Sequence, residues 1–469
     1  MTSQPVQTAS ASNLEIARQS RSEETAMLPR LPRSAAVNAA ATPKASRERS
    51  EVLWLFGQDW AALAEKRFAK THSIHSAGFN LFEFPSNAAI LWFNMNRFVD
   101  RMARRYQGKL QAVISHEEQF GALAAALVAE RLGLPGTNPD AILKLQHKEI
   151  CRQIIDRVAP ESNTRYEVMD CRLGDIPTST TIDFPAFIKP IKASFSVLAR
   201  QLSSFDELRE HISFGRFERH IIDRLVTPFD EVCQQRLGQV TDARRMLIEE
   251  HVQADQFNLD GYVLNGTPHL LGVVDEIMYP DTQAFLRFEY PSKLPESIQQ
   301  RAFSVASRVL AEAGFDHGFF NMEFFYDPTT EKLQIVEFNP RLAAQLADLY
   351  ERVDGLDVHA MTVALAFGQD PANVPRKSPL GGVAASCALR TFDGSMPNKI
   401  GRRKRQQVKA DYPDSIIVYF DKSASGRQRE FKWLNSNRFG VINLHGLNWV
   451  DCQRRYQAIC DSLGWPAAF

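Results

Sequence analysis

Net charge is the first thing this 469-residue sequence lacks: 55 lysines and arginines are balanced by 55 aspartates and glutamates. A balanced chain has no global pull toward nucleic acid or an acidic membrane, so either partner would need a local patch. Long apolar runs are absent as well. The best stretch, Gly121–Ala129, is broken by Glu130 and Arg131, short of the roughly 18 residues that a membrane-spanning helix needs. Cysteine is sparse, with six residues at Cys151, Cys171, Cys233, Cys387, Cys452 and Cys460 and no C-x-x-C pair. That excludes a disulfide scaffold and a close-spaced zinc site, and suits reduced thiols in a cytoplasmic protein. The glycine patterns G-x-x-x-x-G-K and G-x-G-x-x-G are missing too, which removes the P-loop and the dinucleotide fingerprint. No internal repeat is present.

What is there is an ordinary globular composition, 44% hydrophobic and 23% charged, in a chain long enough for two to four domains. Residues 1–50 differ: rich in Ser, Ala, Thr, Pro and Arg, they read as a disordered extension. Glu15, Glu23, Glu24 and Glu48 argue against an acid-poor transit peptide. The apolar run Val52–Phe56 before Gly57 predicts a buried parallel strand, and Leu110–Ser115 a second, with a helix from Gln119 to Leu132 stopped by Gly133-Leu134-Pro135-Gly136. Helix is expected over Asp140–Val158, strands over Phe184–Lys189 and Val197–Gln201, and a helix over Asp206–His211. Met246–Val252, Asn258–Leu264 and His269–Asp275 read as antiparallel strands, with Asn265-Gly266 a hairpin turn. After a helix over Glu296–Ala313 comes a hairpin, Phe319–Tyr326 and Lys332–Asn339. Asp357 caps a helix that Gly368 ends. Val383–Arg390 and Ser415–Phe420 are strand-like, and Trp449–Leu463 closes the chain as a helix.

The hairpin carries the chemistry. If Tyr326 pairs with Lys332, then Asn321 faces Glu337 and Glu323 faces Ile335. Asn321, Glu323, Glu337 and Asn339 then share one sheet face, with the two glutamates as diagonal neighbours. Two carboxylates amid Phe319, Phe320, Phe324 and Phe325 need a positive partner, and hard oxygen donors of this kind suit Mg²⁺ completed by water and phosphate oxygens. A solvated edge-strand face is the plainer alternative. Lys189 ends the strand Ile188-Lys189-Pro190 and Lys148 lies on the helix before it. A lone strand-end lysine is more often structural, and the pair gains weight only beside the carboxylates.

In chain order, Lys148, Ile188-Lys189-Pro190, Ile248-Glu249-Glu250-His251-Val252, Glu323 and Glu337-Phe338-Asn339-Pro340-Arg341 resemble an ATP-grasp ligase of the carbamoyl-phosphate-synthase and biotin-carboxylase branch and the related amino-acid ligases. The resemblance covers Glu51 to Phe469. It implies a mixed α/β and α+β chain: a parallel α/β pre-ATP-grasp domain over 51–140, a two-lobed ATP-grasp domain with antiparallel sheets over 141–370, and a closing C-terminal lobe over 371–469. It further implies that Lys148 and Lys189 hold ATP phosphates, with Lys189 also near the adenine, and that the backbone of Glu249, Glu250 and Val252 forms the adenine hinge. Glu323, Glu337 and Asn339 would bind Mg²⁺ (or Mn²⁺), and Arg341 would neutralise the transferring phosphoryl group. The implied reaction joins a small-molecule carboxylate to an amine through an acyl phosphate, with ATP going to ADP and phosphate. No nucleic-acid or membrane partner is implied, and the assembly is open, a homodimer included.

Two departures from the family pattern bear on this. The loop after the strand lysine, Lys192-Ala193-Ser194-Phe195-Ser196, contains no glycine. Leu342-Ala343-Ala344-Gln345-Leu346 lacks the glutamate that follows the arginine in biotin carboxylases, and no Met-Lys-Met carrier segment exists, so bicarbonate is not the expected substrate. The alternatives are a ligase or carboxylase acting on another carboxylate, and a shell that senses ATP without turnover. Arg402-Arg403-Lys404-Arg405 with Lys409 reads as a solvated loop rather than an anion or RNA site. Arg287, in a loop before Pro291, is a candidate for the substrate carboxylate, and Asp260 for the ribose. His116-Glu117-Glu118 lacks a zinc-protease partner and reads as a strand-end loop.

Overall fold

The computed structural model describes residues 49–469 apart from 58, 82, 84–85, 173–178, 193–197, 214 and 239–241. The extension expected over 1–50 therefore lies outside the described residues but for its last two, and the glycine-free loop lies outside them but for Lys192. Arg49–Phe469 forms one compact unit.

The first sheet is parallel: β1 (Glu51–Leu55) lies between β2 (Ser73–Ala77) and β3 (Ala112–Ile114). Strand alternation sends Leu53 and Leu55 into the main core, while Val52 and Trp54 pack the other way against Ala64, Phe68 and Val363. The helix Gly121–Leu132 is apolar on nearly every side through Ala129 and is buried all round over that stretch, and Gly133 ends it with φ +65°.

Four strands build the second sheet: β4 (Tyr166–Arg172), β5 (Ala186–Pro190), β6 (Arg200–Leu202) and β7 (Arg245–Glu250), in the order β4-β7-β5-β6 with all pairs antiparallel. The third has eight: β8 (Asp255–Leu264), β9 (Thr267–Met278), β10 (Phe285–Tyr290), β11 (Gly318–Asp327), β12 (Lys332–Asn339), β13 (Val383–Thr391), β14 (Ile416–Tyr419) and β15 (Asn437–Gly446). Their order is β12-β11-β8-β9-β10-β13-β15-β14. The C-terminal strands thus extend the sheet that carries the acidic hairpin.

Several expectations are corrected. The helix expected over 140–158 is two, Pro139–Gln146 and Lys148–Val158, parted at His147. Its backbone is extended there and its Nδ1 accepts the Ile150 N–H at 3.3 Å. Arg287 is not in a loop. It sits on β10 beside Glu289 and, pairing with Cys387 and Ile277, shares their face. The basic run at 402 begins the helix Arg402–Asp411. A 22-residue helix, Arg216–Leu237, occupies a stretch where Pro228 and scattered charge hide the helical period.

Candidate active site

The hairpin β11–β12 pairs in a different register from the expected one. Asp327, not Tyr326, faces Lys332, and a bulge between Glu323 and Phe324 adds one more residue on β12, so Glu323 lies directly opposite Glu337 and Asn321 opposite Asn339. The two one-residue shifts sum to an even number, which keeps all four side chains on one face but turns a diagonal carboxylate pair into a direct one. Two charges about 5 Å apart at an effective dielectric of about 20 repel by roughly 3 kcal/mol. The conflict is resolved unequally. Burial and then Glu337 push Glu323 up to about 8, whereas Lys148 and Lys189 overcome burial at Glu337 and hold it below the usual range.

The bulge has a second effect. Successive carbonyls of a regular strand point in opposite directions, but those of Ile335 and Val336 both accept from Arg152, at 2.7 and 3.2 Å. Val336 also accepts from Lys189 Nζ at 3.2 Å. Arg152 and Lys189 then meet the buried Glu249 of β7 at 2.8 and 2.7 Å. One carboxylate and two cations thereby tie the four-stranded sheet to the edge of the eight-stranded one. Burial lowers the Lys189 pKa, and Glu249 only partly restores it. Nothing in the helical pattern around Arg152 marks that residue, because its partners are backbone atoms 183 and 184 positions away.

Lys148 owes its position to the break at His147: as first residue of its helix it reaches Glu337 at 3.1 Å. Burial opposes its charge, but Glu337 and Glu118 outweigh burial and raise its pKa. Arg341, just past β12, donates to Glu118 at 2.5 Å. Glu118 belongs to the loop after β3, whose next-door Glu117 accepts the N–H groups of Gln119, Phe120 and Gly121 at 2.6–2.9 Å and so fixes the turn. Lys192 is buried in the same region, 3.1 Å from Gln146 Oε1, and burial lowers its pKa to about 8. Glu118 and Lys192 carry no motif, since one lies on the loop after β3 and the other follows a strand end.

The polar face continues inward. Asn321 donates to Asn258 at 2.7 Å and to Asp260 at 3.1 Å, and Tyr350 donates to Asp260 at 2.7 Å. Both Asp260 oxygens are therefore engaged, and the residue is 1% exposed. Glu276 of β9 is also buried. Asn258 donates to one of its oxygens and the other has no partner among the described residues. Arg287 lies on the opposite sheet face from Glu276, because the β10 residue paired with Glu276 is Phe288. Beside the hairpin, Glu250 accepts from the Arg165 N–H at 3.1 Å and from Gln334 at 3.2 Å, which leaves His251 and Val252 in the unpaired link to β8.

Glu323, Glu337 and Asn339 fit a hard divalent cation as oxygen donors. Asn339 donates its amide N–H to Glu323 and Asn321, and its Oδ1 is buried without a partner among the described residues. Among those residues no group of three His, Cys, Asp or Glu stands close enough to hold a metal by itself. Mg²⁺ uses one or two carboxylates and takes its other ligands from water and phosphate. No described helix is long and apolar enough to cross a membrane.

Residues 182–348 match the ATP-grasp domain family. Carnosine synthase 1 of Gallus gallus is 26% identical over 292 residues, covering 57% of this chain and 28% of that protein, so the chain spans just over a quarter of this relative's length. Among solved structures, an L-amino acid ligase from Bacillus licheniformis superposes with a TM-score of 0.63 at 12% identity, over 89% of this chain and 98% of that one. N5-carboxyaminoimidazole synthase from Aspergillus clavatus, in complex with ADP, gives 0.59 at 12% identity over 89% and 99%. Biotin carboxylase from Campylobacter jejuni gives 0.55 at 14% over 89% and 92%. At such identities the superpositions establish a shared fold.

Proposed function

Residues 182–348 match the ATP-grasp domain family, and from that premise we propose that the chain is an ADP-forming carboxylate–amine ligase working through an acyl phosphate, with amino acids or related carboxylates as substrates. The observation that carries the reading is the facing pair Glu323 and Glu337 with Lys148, Lys189 and Arg341 gathered around it from three different parts of the chain. Such an array suits a polyphosphate and a divalent ion, whose chemistry there is to neutralise charge on the transferred phosphoryl group.

In this reading Lys148 and Lys189 bind the phosphates, the backbone from Glu249 to Val252 borders the adenine, and Glu323, Glu337 and Asn339 hold Mg²⁺. A substrate carboxylate oxygen attacks the γ-phosphorus and the bond to ADP breaks. The amine nitrogen then attacks the acyl carbon, phosphate leaves, and the nitrogen loses a proton. Arg341, held by Glu118, is placed to stabilise the charge spread over the moving phosphoryl oxygens. Glu276, with a buried oxygen that has no partner among the described residues, is the group on this face suited to an ammonium donor. The amino-acid substrate class draws support from two similar proteins that are by name an L-amino acid ligase and a carnosine synthase.

The test is phosphate release with Mg²⁺ and ATP against amino acids singly and in pairs, with and without bicarbonate. Release that needs both an acid and an amine is the expected result. Release driven by bicarbonate would favour a carboxylase. Silence across a broad panel, with ATP still bound, would favour a nucleotide sensor.

A further inference from the structure

The far edge of the eight-stranded sheet holds a second concavity. A cavity of about 270 Å³ opens beside β14, bounded by the segments that lead into the helices Arg402–Asp411 and Ala424–Leu434. The carboxylate hairpin is at the other edge, since β12 and β14 are the first and last strands in the order. At about 4.8 Å per strand, seven spacings separate the two by roughly 34 Å. This cavity is therefore no part of the nucleotide site.

Its lining has two distinct parts. One wall is aromatic: Trp465 packs at 5.4 Å centroid separation against both Tyr419 and Phe439. The rim is cationic, with Lys399, Arg405, Lys422 and Arg427 against a single carboxylate, Asp421. Asp421 already serves two of them, Arg405 at 2.7 Å and Lys399 at 3.4 Å. Lys422 is paired with Glu430, which lies outside the lining. Arg427 has no ion pair or side-chain hydrogen bond among the described residues. The imbalance extends beyond the pocket: residues 396–440 contain eleven Lys and Arg but four Asp and Glu, in a chain whose totals are equal. Arg405 is stacked on Tyr419 at 4.1 Å, donates from Nε to the Ile400 carbonyl at 2.8 Å and from Nη2 to Asp421, and so is fixed beside the cavity with Nη1 without a hydrogen bond among the described residues.

We propose that this cavity is a second ligand site, for a small organic oxyanion: a planar apolar body against Tyr419, Phe439 and Trp465, with its phosphate or carboxylate taken by Arg427, Arg405 and Lys399. A cation would be repelled by the rim. A neutral apolar molecule would leave the excess charge uncompensated, and a bare inorganic ion would leave the aromatic wall uncovered. An oxyanion on a ring meets both parts at once, through charge-assisted hydrogen bonds and ring contact.

The experiment uses the full chain and three probes, phenyl phosphate, benzoate and inorganic phosphate, followed by calorimetry and tryptophan fluorescence with and without saturating Mg²⁺–ATP. The expected result is one site for an organic anion that ATP does not displace, weakened at least about tenfold in Arg427→Ala and further in Lys399→Ala/Arg427→Ala, with ATP affinity unchanged in both variants. Tighter binding of phenyl phosphate assigns the site to organic phosphates, and tighter binding of benzoate to carboxylates; both support it. Four results would overturn it. They are no binding of either organic probe up to about 10 mM, displacement by ATP, wild-type affinity in both variants, and inorganic phosphate binding as tightly as phenyl phosphate.

Discussion

Arg341 and Glu118 are 223 residues apart in the chain and 2.5 Å apart in space, both largely buried. The pair joins the loop after β3 to the end of the acidic hairpin and aims the guanidinium across the polar face. The role proposed for Arg341 in a moving-phosphoryl state predicts that Arg341→Ala lowers kcat more than it weakens ATP binding. Arg341→Lys should also be poor, because a point charge lacks the planar fork. Glu118→Gln should cut kcat about 10- to 100-fold while leaving nucleotide affinity within a few fold, since the arginine stays but loses its anchor. Paired calorimetry and phosphate release measure both; unchanged turnover in Arg341→Ala would remove it from the site.

Glu337 carries the negative charge of the carboxylate pair, held by Lys148 at 3.1 Å. Glu337→Gln should keep the fold, as the amide fits the same space, and lower Mg²⁺-dependent ADP formation by about 100-fold or more. Circular dichroism checks the fold and a coupled ADP assay the rate. Wild-type turnover in a folded variant would contradict the ligand assignment.

Glu323 gives a pH dependence. With a folded value of about 8, it is mostly protonated at neutral pH in the metal-free protein. A divalent ion must displace that proton, so affinity for Mg²⁺–ATP should rise with pH by up to about tenfold per unit until about pH 8 and then level off. Calorimetry in two buffers of different ionisation heat at pH 7 should report proton release near one. The folded value lies above the unfolded one near 4.5, so the group's contribution to stability is fully present below about pH 4.5 and is lost as pH rises through about 8. Glu323→Gln should therefore raise the metal-free Tm at about pH 9 and change it little at about pH 4.5. The opposite pattern in a thermal scan would refute the protonated state.

Lys189 touches Glu249 at 2.7 Å and the Val336 carbonyl at 3.2 Å. Lys189→Ala removes a cation proposed to bind phosphate and one of the two partners of a buried carboxylate. ATP affinity should fall about 10- to 100-fold, and stability by about 1–3 kcal/mol, moderated because Arg152 still holds Glu249. Urea unfolding followed by nucleotide titration separates the two losses.

Local pattern was enough to place most strands and helices, because alternation and turn residues act over a few positions. Glu296–Ala313 and Trp449–Leu463 fall where the period and the closing Gly314 and Gly464 put them. The shared face of Asn321, Glu323, Glu337 and Asn339 followed from period two alone, and an even shift in register left it intact. The direct opposition of the glutamates did not follow, since it depends on a bulge whose extra residue is held by Arg152 from the helix Lys148–Val158 and by Lys189 from another sheet. The same holds for Glu118 against Arg341, Lys148 released by the bend at His147, and the Glu276 oxygen left without a partner among the described residues. Each is set by which chain segment lies opposite which, at separations of tens to hundreds of residues. Charge and hydrogen-bond partners at that range leave no periodic trace in the sequence, and only the packed sheets bring them within reach.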